Sequence, residues 1–314
     1  MTFVQLEYIL AVDEHRHFAT AAAHCFVTQP TLSMQIQKLE EELGIKLFDR
    51  SRQPVVPTPI GELVLVHARR VILEVRMLED VIKEKQGLIH GELRLGIIPT
   101  LAPYLLPLFL QSFLDKYPEV QLKVKEVTTE HLVEAIQKGH LDMGLVVTPL
   151  QVASIREHPI FYEEMVAYVS KSNAAYKKTY VLANDIDVHD LWLLEEGNCF
   201  RSQMLNLCEL QKAHRDLLRF EYEAGSLETL KKMVETNRGI TILPELATLD
   251  MSASQLKLVR HFKSPAPVRE VSLITSKTFV KQKLFLALKK ELLQCIPEKL
   301  RKNKPRNLVP VDRV

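Results

Sequence analysis

The first 58 residues carry apolar side chains at the spacing of three short helices. The pattern predicts helices over about residues 3–15, 18–25 and 30–43, with Thr28 as the N-cap of the third and Gly44 at its end. Two helices joined by a short turn, the second with a polar face, are typical of a helix-turn-helix. A small helical interaction module with a solvated polar face explains the same pattern equally well.

A candidate wing follows the third helix. Residues 46–58 read as a hairpin with Arg50 and Arg52 at its tip, where guanidinium groups could bind phosphate or enter a minor groove. Gln, Ser and Thr side chains on the third helix suit hydrogen bonding to base edges in the major groove. We therefore expect double-stranded DNA as a partner. The candidate DNA-binding residues are Thr28, Gln29, Pro30, Thr31, Ser33, Gln35, Lys38, Arg50 and Arg52.

One apolar stripe then runs from about residue 59 to residue 85, which predicts a single long amphipathic helix. Such a helix needs a partner, and the chain offers no second helix of similar length. We expect a homodimer through this linker helix rather than packing against the rest of its own chain. Residues 87–91, with a glycine at each end, indicate a hinge.

After the hinge, strand and helix patterns alternate, which indicates an α/β fold with largely parallel sheets. The predicted strands are 93–98, 120–127, 143–147, 163–170, 191–194, 220–223, 240–243 and 270–275. The predicted helices are 101–117, 130–138, 226–236 and 280–294.

Composition and charge narrow the possible functions. The chain has 46% hydrophobic and 25% charged residues, no apolar run of about 18 residues that would span a membrane, and no signal-peptide pattern at its start. We expect a cytoplasmic protein without a membrane partner. Residues 1–58 carry five Lys/Arg against seven Asp/Glu, so DNA binding would depend on local clusters rather than on net charge. No zinc-site spacing, phosphate loop or Gly-x-Ser-x-Gly elbow occurs, and we expect no metal, no cofactor and no enzymatic activity.

Two of the four cysteines, Cys199 and Cys208, fall in one segment that reads as a short helix. In a helix, nine residues rise about 13–14 Å, whereas a disulfide requires Cα atoms within about 7 Å. The two thiols can therefore pair only if the helix unwinds, as a redox switch would require. A helix N-terminus and the nearby Arg201 would favour the thiolate of Cys199. Equally, both cysteines could be small apolar residues of a helix, which is how we interpret Cys25 and Cys295.

The segment ATAAAHCFVTQPTLSMQIQKLEEELGIKLFDR, residues 19–50, resembles the winged helix-turn-helix of LysR-type transcriptional regulators. The resemblance extends over nearly the whole chain. It implies a DNA-binding domain (1–58), a linker helix (59–87), and a regulatory domain (91–300) of two α/β subdomains that resemble periplasmic solute-binding proteins. Subdomain I would comprise residues 91–161 and 268–300, and subdomain II residues 162–267, with an effector cleft between them. Residues 301–314 would be a frayed tail.

Within this family, the segment GELRLGIIPTLAPYLLPLFL and the Cys199/Cys208 spacing resemble the members that sense hydrogen peroxide. The resemblance implies a peroxidatic role for Cys199, a resolving role for Cys208 and a homotetramer. It also implies a cellular disulfide reductant, with RNA polymerase as a further candidate partner. The implied peroxide pocket contains Thr100, Thr129, Asn198, Arg201 and Arg269.

The residues of this implied pocket also have purely structural interpretations. Asn198 departs from the family's usual His, and an amide can hold peroxide but cannot shuttle a proton. Thr100 and Thr129 could instead cap helices that begin at residues 101 and 130, and Arg201 and Arg269 could form surface ion pairs.

Three alternatives remain for the function of the whole chain. It could be a regulator that responds to a small metabolite, a thiol peroxidase or a solute-binding protein.

Overall fold

The computed structural model describes residues 1–85, 89–195, 199–207, 223–302 and 307–309. The chain divides into two compact units, Met1–Gly87 and Leu88–Val314. Asn198, Cys208 and the side chain of Cys199 lie outside the described part of the chain, as do residues 86–88 of the expected hinge. No helix in the described ranges is long and apolar enough to cross a membrane.

The first unit has the predicted winged helix-turn-helix architecture. Its elements are α1 (Phe3–His15), α2 (Phe18–His24), α3 (Gln29–Leu43), β1 (Phe48–Asp49), β2 (Val56–Pro57) and α4 (Pro59–Lys85). The side chain of Thr28 accepts a hydrogen bond from the Thr31 backbone N–H, and Gly44 ends α3 in the left-handed conformation at φ 69°. The strands β1 and β2 pair antiparallel to form the wing.

Helix α4 packs partly against its own unit, contrary to our expectation. Leu65, Ala68 and Ile72 are buried in the same core as α1 and α3. A different stripe of α4 stays exposed, including Val71 at 41% and Leu78 at 63%. The long apolar stripe of the sequence therefore combines two faces, of which one belongs to the core of this unit.

The second unit alternates strands and helices over most of its length. Its strands are β3 (Gly91–Ile97), β4 (Val120–Glu126), β5 (Met143–Thr148), β6 (Ile155–Val169), β7 (Tyr180–Val181), β8 (Leu193–Leu194), β9 (Glu223–Ala224), β10 (Ile240–Pro244), β11 (Val259–Phe262) and β12 (Val268–Ser276). Its α-helices are α5 (Ala102–Lys116), α6 (Thr129–Gln137), α7 (Cys199–Leu207), α8 (Leu227–Thr236), α9 (Ala253–Leu256), α10 (Gln282–Cys295) and α11 (Glu298–Lys302). Short 3₁₀ turns lie at Ala174–Lys177, Ala183–Asp185, Val188–Asp190 and Glu245–Thr248.

The main sheet is mixed rather than largely parallel, which corrects the sequence prediction. Its order is β4-β3-β5-β12-β6-β11-β7, with β10 also paired to β6. Strands β3, β4 and β5 are parallel, but β12 runs antiparallel to both β5 and β6, and β10 and β11 run antiparallel to β6. The long strand β6 therefore runs through both of the halves that we expected as separate subdomains, pairing with β12 in one and with β10 in the other.

Helix α6 lies very close to this sheet because two glycines face it. A Cβ atom at Gly96 would come within 2.8 Å of the Leu132 side chain, and one at Gly144 within 2.2 Å. Both glycines lie on neighbouring strands, β3 and β5, so a larger side chain at either position would push α6 away. The close approach fixes the first residue of α6, which is Thr129, against the end of the sheet.

Part of the expected frayed tail is ordered against the sheet. The backbone N–H of Val268 donates to the Asn307 carbonyl at 2.9 Å, and the Val309 N–H donates to the Val268 carbonyl at 2.9 Å. Val309 is 4% exposed. The prediction of a frayed tail was therefore wrong for residues 307–309.

Candidate functional site

Thr100 and Thr129 follow the carboxyl ends of two neighbouring parallel strands. Ile97 at the end of β3 is paired with Glu126 at the end of β4, and each threonine comes three residues later. The Val127 N–H continues the pairing by donating to the Ile97 carbonyl at 3.0 Å. The parallel register therefore places both threonines at the same edge of the sheet, where α/β folds commonly bind ligands.

Arg269 is fully buried and reaches Thr100 from β12. Its Nη1 donates to Thr100 Oγ1 at 3.2 Å, and its Nη2 donates to the Thr100 carbonyl at 3.2 Å. The alternative that Arg269 is a surface ion-pair partner is wrong, because its exposure is 0%. Thr100 does not cap a helix either: α5 begins at Ala102, with Leu101 as a cap that makes no side-chain bond.

Glu163 is the carboxylate that balances Arg269, and our sequence predictions did not include it. The two residues are cross-strand partners on β6 and β12, and Arg269 Nε donates to Glu163 Oε1 at 2.8 Å. Glu163 Oε2 accepts from the Leu246 N–H at 2.9 Å. Burial raises the pKa of the Glu163 carboxyl, and the Arg269 charge acts in the opposite direction. The sequence signal was an acidic residue in register with buried Phe161 and Met165 along one strand.

Helix α7 begins beside this buried ion pair. The Arg269 guanidinium lies 5.0 Å from the centre of the Phe200 ring, and Phe200 is fully buried as the second residue of α7. Such a contact between a cation and an aromatic ring is favourable in a desolvated site. Cys199 is thus the first residue of α7, and the side chain of the next residue, Phe200, contacts Arg269. The Nη1 of Arg201 donates to the Leu194 carbonyl.

Thr129 carries a buried hydroxyl that has no hydrogen-bond partner in the described part of the chain. The residue is 4% exposed, and its Oγ1 has no partner among the described residues. It caps nothing, because it is itself the first residue of α6, after the N-cap Thr128. An unpaired buried hydroxyl costs about 1–3 kcal/mol, so its retention at a sheet edge is a feature of sites that receive a polar ligand.

A second polar cluster joins the two halves of this unit near the same edge. Tyr104 on α5 donates to Glu228 on α8 at 2.8 Å, and Lys231 donates to the same carboxylate oxygen at 2.9 Å. Tyr104 is 7% exposed, and burial together with the bond to Glu228 raises its pKa well above its ordinary value. Tyr104 therefore stays a neutral phenol in which the hydroxyl donates.

The other two cysteines are placed as packing residues. Cys25 and Cys295 are partly buried free thiols against the cores of their units. Burial raises the pKa of both thiols, that of Cys295 to about 11. At neutral pH they are therefore protonated and weak nucleophiles. In the described ranges, no group of three or more His, Cys, Asp and Glu side chains could hold a metal ion.

The candidate DNA-binding residues of the first unit fall into two groups. Thr28, Gln29, Pro30 and Lys38 are exposed. Three others are half-buried and bound within the unit: Thr31 contacts the Thr28 hydroxyl, Ser33 accepts from Arg50, and Gln35 accepts from Gln5. The exposed group forms the surface that a groove could contact without rearrangement.

We had expected Arg50 to present a free guanidinium at the tip of the wing, but this guanidinium is bound within the unit. Its Nη1 donates to Ser33 Oγ at 3.1 Å, its Nη2 lies 3.3 Å from Glu40 Oε2, and its guanidinium lies 4.8 Å from the centre of the Phe18 ring. Glu40 is 1% exposed and also accepts from the Leu47 backbone N–H at 2.8 Å. This carboxylate, absent from our predictions, holds the wing against α3. Arg52 is 71% exposed and pairs with Asp49.

Comparison with known proteins identifies the family. Residues 3–62 match the "Bacterial regulatory helix-turn-helix protein, lysR family", and residues 86–294 match the "LysR substrate binding domain", which spans more than half of the chain. This chain belongs to the LysR family of bacterial transcription regulators. The LysR-type resemblance inferred from residues 19–50 is thereby confirmed.

This LysR-family chain is similar to proteins named for the response to hydrogen peroxide. It is 36% identical over 275 residues to the hydrogen peroxide-inducible genes activator of Haemophilus influenzae, covering 87% of this chain and 90% of that protein. Full-length OxyR from Pseudomonas aeruginosa, with a cysteine replaced by aspartate, has a similar structure: the TM-score is 0.77 at 29% identity, covering 94% of this chain and 99% of that one.

The LysR-family chain has the same percentage identity to a regulator with a different name. EstR of Acinetobacter baylyi is 36% identical over 276 residues, covering 87% of this chain and 90% of that protein. Overall identity therefore places the chain in the family but does not by itself distinguish a peroxide sensor from other regulators. That distinction depends on the residues of the site.

Proposed function

We propose that this LysR-family regulator binds DNA and controls oxidative-stress genes by sensing hydrogen peroxide through reversible formation of a Cys199–Cys208 disulfide. The observation that carries the proposal is the buried hydroxyl of Thr129, which lacks a partner among the described residues, at the sheet edge where Arg269 holds Thr100. Phe200, the second residue of α7, contacts this cation, and Cys199 precedes it in the chain. Similarity to peroxide-inducible activators supports the same proposal.

The proposed chemistry consumes one peroxide molecule and two thiols. The Cys199 thiolate attacks one peroxide oxygen, the O–O bond breaks, and the departing hydroxide takes a proton to become water, which leaves a sulfenic acid. The Cys208 thiol then attacks the Cys199 sulfur, forms the S–S bond and releases the second water. Two electrons pass from sulfur to peroxide, and a cellular dithiol reductant returns them.

The remaining pocket residues have distinct roles in this proposal. The Thr129 hydroxyl, which lacks a partner in the described part of the protein, binds the peroxide. Thr100 accepts from Arg269 and so keeps its own O–H to donate to the same ligand. The fixed charge of Arg269 stabilises the negative oxygen that develops as the O–O bond breaks. Asn198 supplies a further amide contact. Arg201 has a different role, positioning α7 through the Leu194 carbonyl.

Disulfide formation would convert a local reaction into a change of assembly. In a helix that spans residues 199–208 the two cysteines would lie about 13–14 Å apart, so the bond would require that helix to unwind. Such an order–disorder transition alters the surface around α7. In a homotetramer built on linker-helix dimers, this change would move the DNA-binding domains to another spacing and alter contact with RNA polymerase.

The test is mass spectrometry of the oxidised protein together with DNA footprinting. A 199–208 bridge should form in the wild type with sub-millimolar peroxide. Cys199→Ser should keep the reduced footprint, and Cys208→Ser should accumulate sulfenic acid without the oxidised footprint. Cys25→Ser and Cys295→Ser are the matched controls and should respond as the wild type does. Absence of the bridge, or a peroxide-dependent footprint in Cys199→Ser, would contradict the proposal.

The second candidate is a regulator that answers a small molecule between the two halves, with the cysteines incidental. The polar bridge from Tyr104 to Glu228 favours it, because such a cluster could recognise a polar effector. Two results together would favour this second candidate. The footprint of the wild type would not respond to peroxide, and the footprint of Tyr104→Phe would differ from that of the wild type.

A further inference from the structure

Residues 307–309, here called the C-terminal strap, fill a short pairing site on the first residue of β12. Both backbone polar groups of Val268 bond to the strap, one to Asn307 and one to Val309, each at 2.9 Å. Leu308 forms a parallel bridge with Val268, and the Asn307 side chain donates to the Pro265 carbonyl at 3.2 Å. The strap therefore binds as an added strand, as extended peptides do at a sheet edge.

The strap also bonds to the helix that would carry the redox switch. Gln203 on α7 is 0% exposed, and its Nε2 donates to the Val309 carbonyl at 3.0 Å. Its Oε1 is buried without a partner among the described residues. The bond to the strap therefore compensates part of the cost of burying this amide. If the strap left, both ends of the amide would be buried without that compensation, which disfavours the folded position of α7.

Gln203 and Phe200 are three residues apart, so they lie on the same face of α7. Phe200 contacts Arg269, and Gln203 contacts the strap, which is bonded to Val268. Two adjacent residues of β12 are therefore linked to adjacent turns of α7. Arg269 contacts Phe200 directly, and Val268 is linked to Gln203 through the strap. This arrangement holds α7 at both places against the same strand.

We propose that the C-terminal strap stabilises the helical form of α7 and must be released when α7 unwinds. The strap would thereby set how readily the helix opens. The first statement concerns the reduced protein alone. A further consequence, that a chain without the strap needs a lower peroxide concentration for the switch, rests on the proposed function.

The first experiment measures hydrogen exchange of the α7 amides in the reduced full protein. A chain that stops after Arg306 lacks the strap, and a chain that stops after Val311 keeps it and is the matched control. We expect α7 amides to exchange about tenfold faster or more in the first chain, with no change in the second. A peptide of residues 307–314 added in excess should restore protection.

A second pair of variants separates the strap from a general loss of folding. Gln203→Leu removes the bond to Val309 and the buried unpaired oxygen together. In the Gln203→Leu background, removal of the strap should speed α7 exchange much less than in the wild-type background. Exchange of the β4 amides, which lie three strands away from β12 in the sheet, should stay unchanged in all variants. Equal α7 exchange with and without the strap would overturn the proposal.

Peroxide titration then distinguishes failure of the strap from failure of the sensing proposal. The strapless chain should reach half-oxidation of Cys199 and Cys208 at a peroxide concentration several-fold lower than the Val311 control, because opening is easier. If α7 exchange rises in the strapless chain but neither chain forms the bridge, the strap proposal holds and the sensing proposal fails. If both chains form it with equal exchange and equal sensitivity, the strap proposal fails alone.

Discussion

Arg269 and Phe200 are 69 positions apart in the chain, yet the guanidinium of the first lies 5.0 Å from the ring centre of the second. The contact joins a buried ion pair on the sheet to the first turn of α7. Since Arg269 also bonds both the hydroxyl and the carbonyl of Thr100, any movement of α7 changes the surroundings of the cation that holds this threonine.

Thr129→Val should separate ligand binding from stability. Valine matches the shape of threonine, and the lost hydroxyl is buried without a protein partner in the described structure, so the free energy of unfolding should stay the same or rise, by up to about 1–3 kcal/mol. Sulfenic acid formation at Cys199 should nevertheless slow by about tenfold or more. Thr100→Val is the comparison, because loss of its bond to Arg269 should also destabilise the protein by about 1.5–3 kcal/mol. A normal rate in Thr129→Val would remove it from the peroxide site.

Arg269→Met should destabilise the second unit by about 3–5 kcal/mol, because it leaves the carboxylate of Glu163 buried without its cation. The measurement is urea unfolding followed by the fluorescence of Trp192, the single tryptophan. Adding Glu163→Gln should recover part of the loss, since the amide can still accept from Leu246. A double variant no more stable than Arg269→Met would show that the pair is not coupled as the geometry implies.

Arg52→Ala and Arg50→Ala should weaken DNA binding for different reasons. Arg52 is exposed, so its loss should reduce the salt dependence by about one counterion unit and leave stability unchanged. Arg50→Ala should also destabilise the first unit, because Glu40 is buried and loses a partner. Gln29→Ala should instead relax sequence preference, by about 1–3 kcal/mol at one base pair. Binding isotherms at several salt concentrations, combined with thermal unfolding, distinguish these outcomes.

The exposed stripe of α4 should carry the dimer. Val71→Asp combined with Leu78→Asp should yield folded monomers in sedimentation, since both side chains face solvent in the isolated chain. Ile72→Asp is adjacent in sequence but 7% exposed, so it should unfold the first unit instead. A doubly substituted protein that sediments as the wild type would exclude this stripe as the interface.

Asp142 should make the second unit sensitive to acid. Burial would raise the pKa of this carboxyl, but hydrogen bonds from Arg94 and the charge of Lys281 outweigh it and lower the pKa below its usual value. A lowered pKa in the folded state contributes stability above the unfolded pKa of about 3.9, which is lost as pH falls through the folded value. The stability difference between wild type and Asp142→Asn should therefore shrink below about pH 4, as measured by Trp192 fluorescence in urea.

Local signals in the sequence predicted the elements well, and long-range partners account for what was missed. Thr28 and Gly44 specify the ends of α3 through their own backbone and side-chain chemistry, so both were readable. The bond between Thr100 and Arg269 was not, because the two residues are 169 positions apart; both entered the predicted pocket only through the family resemblance. Glu40 and Glu163 were missed for the same reason: a buried carboxylate is recognised by its partners, which the linear pattern does not show.

The continuous course of β6 has a mechanical consequence. Strand β6 pairs with β12 over Ile155–Glu164 and with β10 over Met165–Val169, so the same backbone belongs to both halves of the regulatory unit. Closing the two halves toward each other would require bending β6 where its partner changes from β12 to β10, between Glu164 and Met165. Because a continuous strand resists bending, we expect a signal in this unit to change the shape of its surface rather than the distance between its two halves.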